Sequence, residues 1–446
     1  MSQRLFGTDG VRGKAGLPPL DVCTIRRFGA ALTRSLPRGA GARRLLIGRD
    51  TRESGEWIER ELAHGARGCG GEVTSAGVIS TPGVAFLTRE LRFDAGVVIS
   101  ASHNPYDDNG IKVFSGAGEK FTERLETEIE AMVADAAWKT REGDAPPVAV
   151  TDLAPVYLQH VRRALPDAGW LKGSRLAVDC ANGATSGLAP RLFGDLGFEV
   201  LPLNCMPDGR NINRDCGSTH PEQLAATVTE TGCRLGVAFD GDGDRAIFVD
   251  HLGRVVDGDG VMLMCGLHLR QTGRLRNDAI VATVMSNIGL EIALRKAGID
   301  MVRCPVGDKH VMQEMIKRGL SLGGEQSGHI IFSELLYTGD GLVTALSVMQ
   351  TMAAQGRELS GLAEALTTYP QVLLNVPVRR KPNLEEVPEI AEIVARVEAS
   401  LAGSGRLLVR YSGTEPLLRI MLEGPDEGEI RALAEEIAEM ARARLS

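Results

Sequence analysis

Short apolar runs, each followed by a Gly-, Asp- or Ser-rich turn and then a stretch of helical periodicity, recur along the 446-residue chain. Leu45-Leu46-Ile47, Gly96-Val97-Val98-Ile99, Leu176-Ala177-Val178, Leu235-Gly236-Val237-Ala238-Phe239 and Ile280-Val281-Ala282-Thr283-Val284 are the clearest. None alternates apolar with polar residues, so the pattern predicts largely parallel strands buried in α/β layers. Sites in such folds gather where the strands end. Val372–Val376 reads as a further strand, and Glu429–Leu445 as a packed helix with Ile430, Leu433, Ile437 and Met440 on one apolar stripe. Breaks fall at Ala145-Pro146-Pro147-Val148, at Asp250–Gly253 and at Thr367–Pro370. Repetition of the strand-then-glycine-turn order points to related domains. Length alone suggests about three domains; the pattern raises this to four, at 1–155, 156–253, 254–368 and 369–446.

Composition narrows the class. With 43% apolar and 24% charged residues the chain can bury real cores and is not dominated by disorder. Its 50 Lys plus Arg against 58 Asp plus Glu leave a net charge of −8, which argues against nucleic acid or a membrane surface as partner. No run approaches the roughly 18 apolar residues of a membrane span, and the start lacks a signal-peptide apolar region. The eight cysteines include no C-x-x-C pair, so free thiols in a reducing cytoplasm are expected.

Four motifs carry candidate chemistry. Asp240-Gly241-Asp242-Gly243-Asp244-Arg245 follows an apolar run and brings three carboxylates to alternate positions, able to converge on a hard divalent cation. An EF-hand is excluded, because Arg245 and His251 stand where glycine and glutamate would be needed. A dinucleotide fingerprint is excluded too, since Ala246–Asp250 reads as a strand where a helix is required. Ser100-Ala101-Ser102-His103-Asn104-Pro105, with Lys112 beyond, sets a hydroxyl nucleophile beside a proton-transfer partner and a cation; an ordinary polar turn fits this spacing equally. No Gly-x-Ser-x-Gly elbow surrounds Ser102, so an esterase is unsupported. Gly323–His329 packs Glu325, Gln326, Ser327 and His329 among glycines, a donor and acceptor set suited to sugar hydroxyls or an amine, although taken alone the motif is better read as a glycine-rich turn with satisfied polar groups. Arg410-Tyr411-Ser412-Gly413-Thr414, with Arg419 beyond, makes a plausible phosphate cradle.

In this order the four motifs resemble the α-D-phosphohexomutase family, and the similarity runs nearly end to end. Leu5–Gly13, Ile47–Arg52, Asp179–Ala184, Cys216–Glu222, Met285–Leu290, Val306–Val311 and Thr338–Gly341 extend it. The wording around Ser102, and Gln326 where phosphomannomutase/phosphoglucomutase members usually have Met, is similar to the branch acting on glucosamine phosphates. Tyr411 and Ser186 stand where that resemblance would have Lys and Tyr. It implies a mixed α/β fold of four domains around a central cleft, three similar ones and a smaller α+β domain, contributing in turn the phosphoserine, metal, sugar and phosphate loops.

The implied activity is interconversion of glucosamine 6-phosphate and glucosamine 1-phosphate through phospho-Ser102 and an enzyme-bound glucosamine 1,6-bisphosphate, feeding UDP-N-acetylglucosamine and cell-wall precursor synthesis. The resemblance assigns Mg²⁺ to the Ser102 phosphate with Asp240, Asp242 and Asp244. It assigns catalysis to Ser102, His103, Lys112, Arg12 and Arg245, with His103 and Lys112 both open as general base. Substrate contacts fall to Lys309, Glu325, Ser327, His329, Arg410, Ser412, Gly413, Thr414 and Arg419. A homodimer is a candidate assembly. The alternatives are a phosphomannomutase/phosphoglucomutase, a metal-dependent phosphatase, and a sugar-phosphate-binding protein without catalysis.

Overall fold

The computed structural model describes residues 5–7, 9–37, 41–135, 137–140, 142–401, 403–412 and 415–445. They form two compact units, Met1–Met285 with Ile299–Ala365, and Ser286–Gly298 with Leu366–Ser446.

The larger unit holds three sheets. The first contains β1 (Val11–Lys14), β2 (Arg43–Arg49), β3 (Gly71–Val78), β4 (Ala95–Ile99) and β5 (Asp108–Ser115) in the order β1-β5-β4-β2-β3. The second contains β6 (Arg175–Asp179), β7 (Glu199–Leu203), β8 (Leu235–Phe239), β9 (Ala246–Asp250) and β10 (Val255–Val256) in the order β10-β9-β8-β6-β7. The third contains β11 (Ala279–Thr283), β12 (Asp300–Cys304), β13 (Leu322–Gly324) and β14 (Ile330–Phe332) in the order β12-β11-β13-β14.

One plan therefore recurs three times. A first strand pairs in parallel with the second and third, as β2 does with β3 and β4, β6 with β7 and β8, and β11 with β12 and β13. The fourth strand, β5, β9 or β14, returns antiparallel beside the third. The expectation of largely parallel strands holds for three strands of each sheet and fails for the fourth. Its physical reason is loop length: a parallel crossover takes about a dozen residues or more, and these connections are shorter. Each hairpin closes on a registered pair, Ile99 with Ile111, Phe239 with Ala246 and Gly324 with Ile330, and so fixes where its loop emerges. The second sheet also runs past the break at Asp250–Gly253, because β10 pairs back onto β9.

Helices cover the sheets, and their starts are written locally. Ser80 accepts from Gly83 N at the head of the helix Thr81–Glu90, Asp257 from Asp259 N and Gly260 N at Gly258–Gln271, and Asp340 from Val343 N at Gly341–Gln355. In the first core, Ile25, Phe28, Leu32, Ile58 and Leu62 pack against Leu45, Ile47, Val97 and Ile111.

The smaller unit is an antiparallel sheet of β15 (Gln371–Pro377), β16 (Arg406–Tyr411) and β17 (Leu417–Glu423), ordered β15-β17-β16. The helices Pro388–Leu401 and Glu427–Leu445 complete its core, the latter burying Ile430 and Ile437, with Leu433 and Met440 packed at the margin. The helix Ile288–Lys296 belongs here as well. Fully buried Glu423 accepts from Ile288 N at 3.1 Å, from Gln371 at 2.9 Å and from Arg406 at 2.8 Å.

Helices Val22–Ser35 and Gly55–Gly68 approach so closely that a Cβ on Gly65 would sit 2.0 Å from Arg26 O, and one on Gly29 2.1 Å from Leu62 O. Only backbone separation relieves such an overlap, so Gly65→Ala is expected to destabilise the larger unit by about 1–3 kcal/mol. Thermal unfolding read by circular dichroism checks this; an unchanged midpoint would contradict the close-packed crossing.

Candidate active site

The three hairpin loops meet in the larger unit. Ala246 N donates to Gly328 O at 3.1 Å between the second and third, and helix starts brace them: Thr81 N to Asp242 O at 2.9 Å, Gly341 N to Gly243 O at 3.0 Å and Gly258 N to Gln326 O at 2.9 Å. At the meeting point lies a cleft of about 500 Å³ lined by Arg12, His103, Asp244, Arg245, Glu325 and His329, among others.

Ser102 stands at the first loop, 1% exposed, with φ +53°. A non-glycine residue in this left-handed region costs about 1–3 kcal/mol and persists only where its surroundings fix it. Its Oγ donates to Asp240 Oδ2 at 2.6 Å and lies 3.4 Å from His103 Nδ1. Gly241, between the first two aspartates, passes so near that a Cβ there would fall 2.5 Å from Ser102 O. The spacing Asp-Gly-Asp-Gly-Asp thus brings the second loop against the first as well as turning it.

Cations thread the acidic loop. Lys112, 2% exposed on β5, reaches Asp242 Oδ2 at 2.8 Å, Asp9 Oδ2 at 3.1 Å and Asp244 Oδ2 at 3.4 Å. Lys120 bridges Asp9, at 2.6 Å, and Asp308. Arg12 pairs with Asp9 at 2.6 Å and donates to Ala101 O at 3.2 Å. Arg245 Nε lies 3.8 Å from Asp244 Oδ1, and its backbone N–H donates to Asp240 Oδ1 at 3.2 Å.

These contacts set protonation. Burial and the neighbouring charges of Asp244 and Asp242 push the Asp240 carboxyl well above its ordinary range. Burial pushes Asp242 the same way, but Lys112 outweighs it and holds this carboxylate below the ordinary value. Burial opposes the charge of Lys112, and Asp242, Asp9 and Asp244 outweigh burial, so its ammonium is held well above the usual value. His103 is lowered by burial and by the positive charges of Arg245 and Arg12, which leaves its ring neutral near pH 7.

The third loop brings polar side chains to the cleft. Glu325 accepts from Gly307 N at 3.1 Å, and His329 Nε2 accepts from Gly339 N at 3.2 Å and lies 3.6 Å from Asp308. Ser327 and Gln326 line an adjoining cavity of about 470 Å³ that shares Arg245 and Glu325 with the cleft. Lys309 pairs with Glu126 at 2.9 Å. In the smaller unit, Arg410 and Arg419 are register partners across β16 and β17, and Arg419 pairs with Glu415 at 2.9 Å. Ser412 is buried and its carbonyl accepts from Lys381 at 2.6 Å. Gly413 and Thr414 lie outside the described residues.

Several participants were not assigned roles from sequence. Asp9, Lys120 and Asp308 join the charge cluster, Thr81 donates to Asp242 Oδ2 at 2.5 Å, and Asn213 donates to Ser102 O at 2.8 Å. Asp9 and Asp308 do fall inside Leu5–Gly13 and Val306–Val311, two of the segments that carry the family resemblance.

The acidic loop fits a divalent metal. The carboxylates of Asp240, Asp242 and Asp244 bring ligand atoms within 4.8 Å of one another. Asp242 Oδ1 and Asp244 Oδ1 are buried with no hydrogen-bond partner among the described residues. Buried carboxylate oxygens without donors are a cost that a hard cation removes.

The chain matches four family models in order: phosphoglucomutase/phosphomannomutase alpha/beta/alpha domain I over residues 3–140, domain II over 155–253, domain III over 257–369, and the C-terminal domain over 373–440. It is 49% identical over 445 residues to the phosphoglucosamine mutase of Solibacter usitatus, covering 99% of each chain. It is 47% identical over 450 residues to that of Syntrophotalea carbinolica, covering 100% of this chain and 98% of the relative. A crystal structure of a phosphoglucomutase/phosphomannomutase family protein from Burkholderia thailandensis superposes with a TM-score of 0.81 at 26% identity, covering 99% of this chain and 98% of the other.

Thr81 orients Asp242, so Thr81→Val is expected to weaken divalent-metal affinity about 10–100-fold, the usual effect of losing such a supporting bond. Asp242→Asn should weaken it further. Calorimetric titration with Mg²⁺ measures both, and an affinity unchanged in Asp242→Asn would remove this residue from the ligand set. Metal binding must also displace the proton favoured at Asp240, so affinity should already decrease as pH is lowered from neutrality, above the ordinary carboxyl range.

Proposed function

Because the chain belongs to the phosphoglucomutase/phosphomannomutase family, an isomerase family of phosphosugar mutases, we propose that it interconverts glucosamine 6-phosphate and glucosamine 1-phosphate as a phosphoglucosamine mutase. The observation that carries the reading is Ser102 Oγ, seated 2.6 Å from Asp240 in a loop of three buried aspartates. Substrate class is carried over from relatives such as those of Solibacter usitatus and Syntrophotalea carbinolica, which are near-complete matches.

Ser102 serves as the phosphoryl carrier. Its Oγ–P bond breaks as the free hydroxyl of the bound sugar phosphate attacks phosphorus, giving glucosamine 1,6-bisphosphate; the other phosphate then returns to Ser102 Oγ. Phosphoryl transfer is governed by positioning and neutralisation of charge. Asp240, Asp242 and Asp244, with the Ser102 phosphate, would hold Mg²⁺, which would supply part of that neutralisation when bound. Arg12, Arg245 and Lys112 supply the rest as fixed cations beside the loop. Of the two candidates for the attacking hydroxyl's proton, His103 has the neutral ring a base requires, whereas Lys112 is held protonated.

Glu325, Ser327 and His329 face the sugar, with Lys309 at the edge of the same loop cluster. Arg410, Ser412 and Arg419, with Gly413 and Thr414 between them, grip the phosphate that does not react. The registered arginine pair supports this role, because like charges directly opposite on a sheet repel and an anion between them relieves the repulsion. The product feeds UDP-N-acetylglucosamine synthesis. No helix among the described residues is long and apolar enough to cross a membrane, and all eight cysteines are free, which suits a cytoplasmic enzyme.

Purified protein should carry a single phosphoryl group on Ser102, visible by intact-mass measurement, and should turn over glucosamine phosphates faster than glucose or mannose phosphates assayed in parallel. Ser102→Ala is expected to abolish interconversion. Near-normal turnover by that variant would overturn the assignment, and a preference for mannose or glucose phosphates would move the chain to the runner-up activity.

A further inference from the structure

Behind the Ser102 loop sits a polar network built on Asp50, Arg52 and Ser100, none of which lines the cleft. Arg52 and Asp50 have side-chain exposures of 0% and 0% and pair at 2.9 Å. Asp50 Oδ1 also accepts from Arg52 N at 3.0 Å, so the pair is rigid within its own turn. The guanidinium then aims its remaining donors at one short stretch of backbone. Nη2 donates to Ser102 O at 3.0 Å and Asn104 O at 2.8 Å, and Nη1 donates to Pro105 O. Asp50 Oδ2 accepts from Ser100 Oγ at 2.6 Å, and Ser100 Oγ accepts from Ser102 N at 2.9 Å. Ser102 is thus held from both its N–H and its carbonyl.

This is more than loop packing. Ser102 occupies a left-handed backbone conformation, from which an L-residue relaxes unless its peptide groups are fixed. The direction of its Oγ depends on that conformation. Burying a charged pair is costly unless its hydrogen-bonding capacity is used, and four of the five N–H donors of Arg52 are used here, all on Asp50 or on carbonyls of the nucleophile loop. A lysine has the charge but not the planar fork that reaches several acceptors at once.

We propose that Arg52, backed by Asp50 and Ser100, is a positioning residue that locks the Ser102 loop and aims Ser102 Oγ for phosphoryl transfer. The proposal rests on the reading of Ser102 as the phosphoryl carrier. Arg52 touches no substrate group; it acts through the carbonyls of Ser102, Asn104 and Pro105. Misplacement of a reacting group by about 1 Å costs roughly 100-fold in rate.

The test compares wild type, Arg52→Lys and Ser100→Ala in full-length protein. Arg52→Lys keeps the charge opposite Asp50, and Ser100→Ala removes one hydroxyl without unpairing a buried charge, so the second variant stands if the first fails to fold. Expected for each is a fall in kcat, about 100-fold for Arg52→Lys, with KM for the sugar phosphate unchanged and, in the dephosphorylated protein, where the aspartates alone bind the ion, calorimetric Mg²⁺ affinity unchanged. Amide hydrogen exchange should accelerate over residues 100–105 alone. Unchanged kcat in both variants would overturn the proposal. So would a fall in kcat matched by lost Mg²⁺ binding and exchange accelerated throughout the larger unit, which would mark Arg52 as merely structural. If wild type itself interconverts no sugar phosphate, the functional reading fails separately, and exchange at 100–105 still decides whether Arg52 fixes this loop.

Discussion

Three carboxylates buried in a single turn repel one another, and that repulsion organises the larger unit. Asp240, Asp242 and Asp244 are each less than a tenth exposed and cannot all remain charged without cations brought from elsewhere in the chain. Lys112 arrives on β5 and Arg245 from the turn itself, while Asp9 and Asp308 recruit Arg12 and Lys120 around the rim. Asp9, Asp240, Asp242, Asp244 and Asp308 outnumber Arg12, Lys112, Lys120 and Arg245 by one. The raised affinity of Asp240 for a proton is the local answer to that surplus. A divalent cation reverses the sign of the balance, which suits the phosphorylated substrate proposed for this cleft. The net charge of −8 is therefore no guide to the ligand, because the charges that matter are fixed within a few ångströms of Ser102.

A repeated topology makes this convergence possible. In each of the three sheets the loop of interest joins the third strand to an antiparallel fourth, so Ser102, Asp240–Asp244 and Glu325–His329 leave their sheets at equivalent points. The second loop is then bonded through backbone to its surroundings, Ala246 N to Gly328 O of the third loop and Asp242 O to Thr81 N at the head of the helix Thr81–Glu90. Side chains are thereby placed by rigid hairpins and not by long mobile loops, which is how a site holds reacting groups to within fractions of an ångström.

What the sequence makes legible follows from how local each cause is. Apolar runs such as Leu235–Phe239 announce buried strands because every residue in them faces a packed layer. Alternating aspartates announce a metal because the repulsion lies within one turn. The antiparallel fourth strands are not announced, since Ala246–Asp250 is as apolar as a parallel strand and only its short connection fixes the direction. Thr81 and Asn213 stay silent for a different reason: Thr81 meets Asp242, 161 residues away, and Asn213 meets Ser102, 111 residues away. Nor does sequence reveal that Ile288–Lys296 joins the smaller unit, because the carboxylate that captures its first N–H is Glu423, 135 residues later.

Water is the remaining discriminator between a phosphoryl carrier and a phosphatase. Both chemistries use a nucleophile, a metal and fixed cations, and they differ in whether water reaches the phosphorylated residue as readily as the intended acceptor. Ser102 is 1% exposed, its N–H and carbonyl are both engaged, and His103 and Arg12 stand over it from the cleft side. A sugar hydroxyl presented by a bound substrate would enter such a pocket with its orientation already fixed, whereas a free water must compete for a space lined by the charged side chains of Arg12, Asp244 and Arg245. On this reading, Ser102 is buried by the same close approach of Gly241 and Arg52 that aims its oxygen, so selectivity against hydrolysis and precision of transfer have one structural origin.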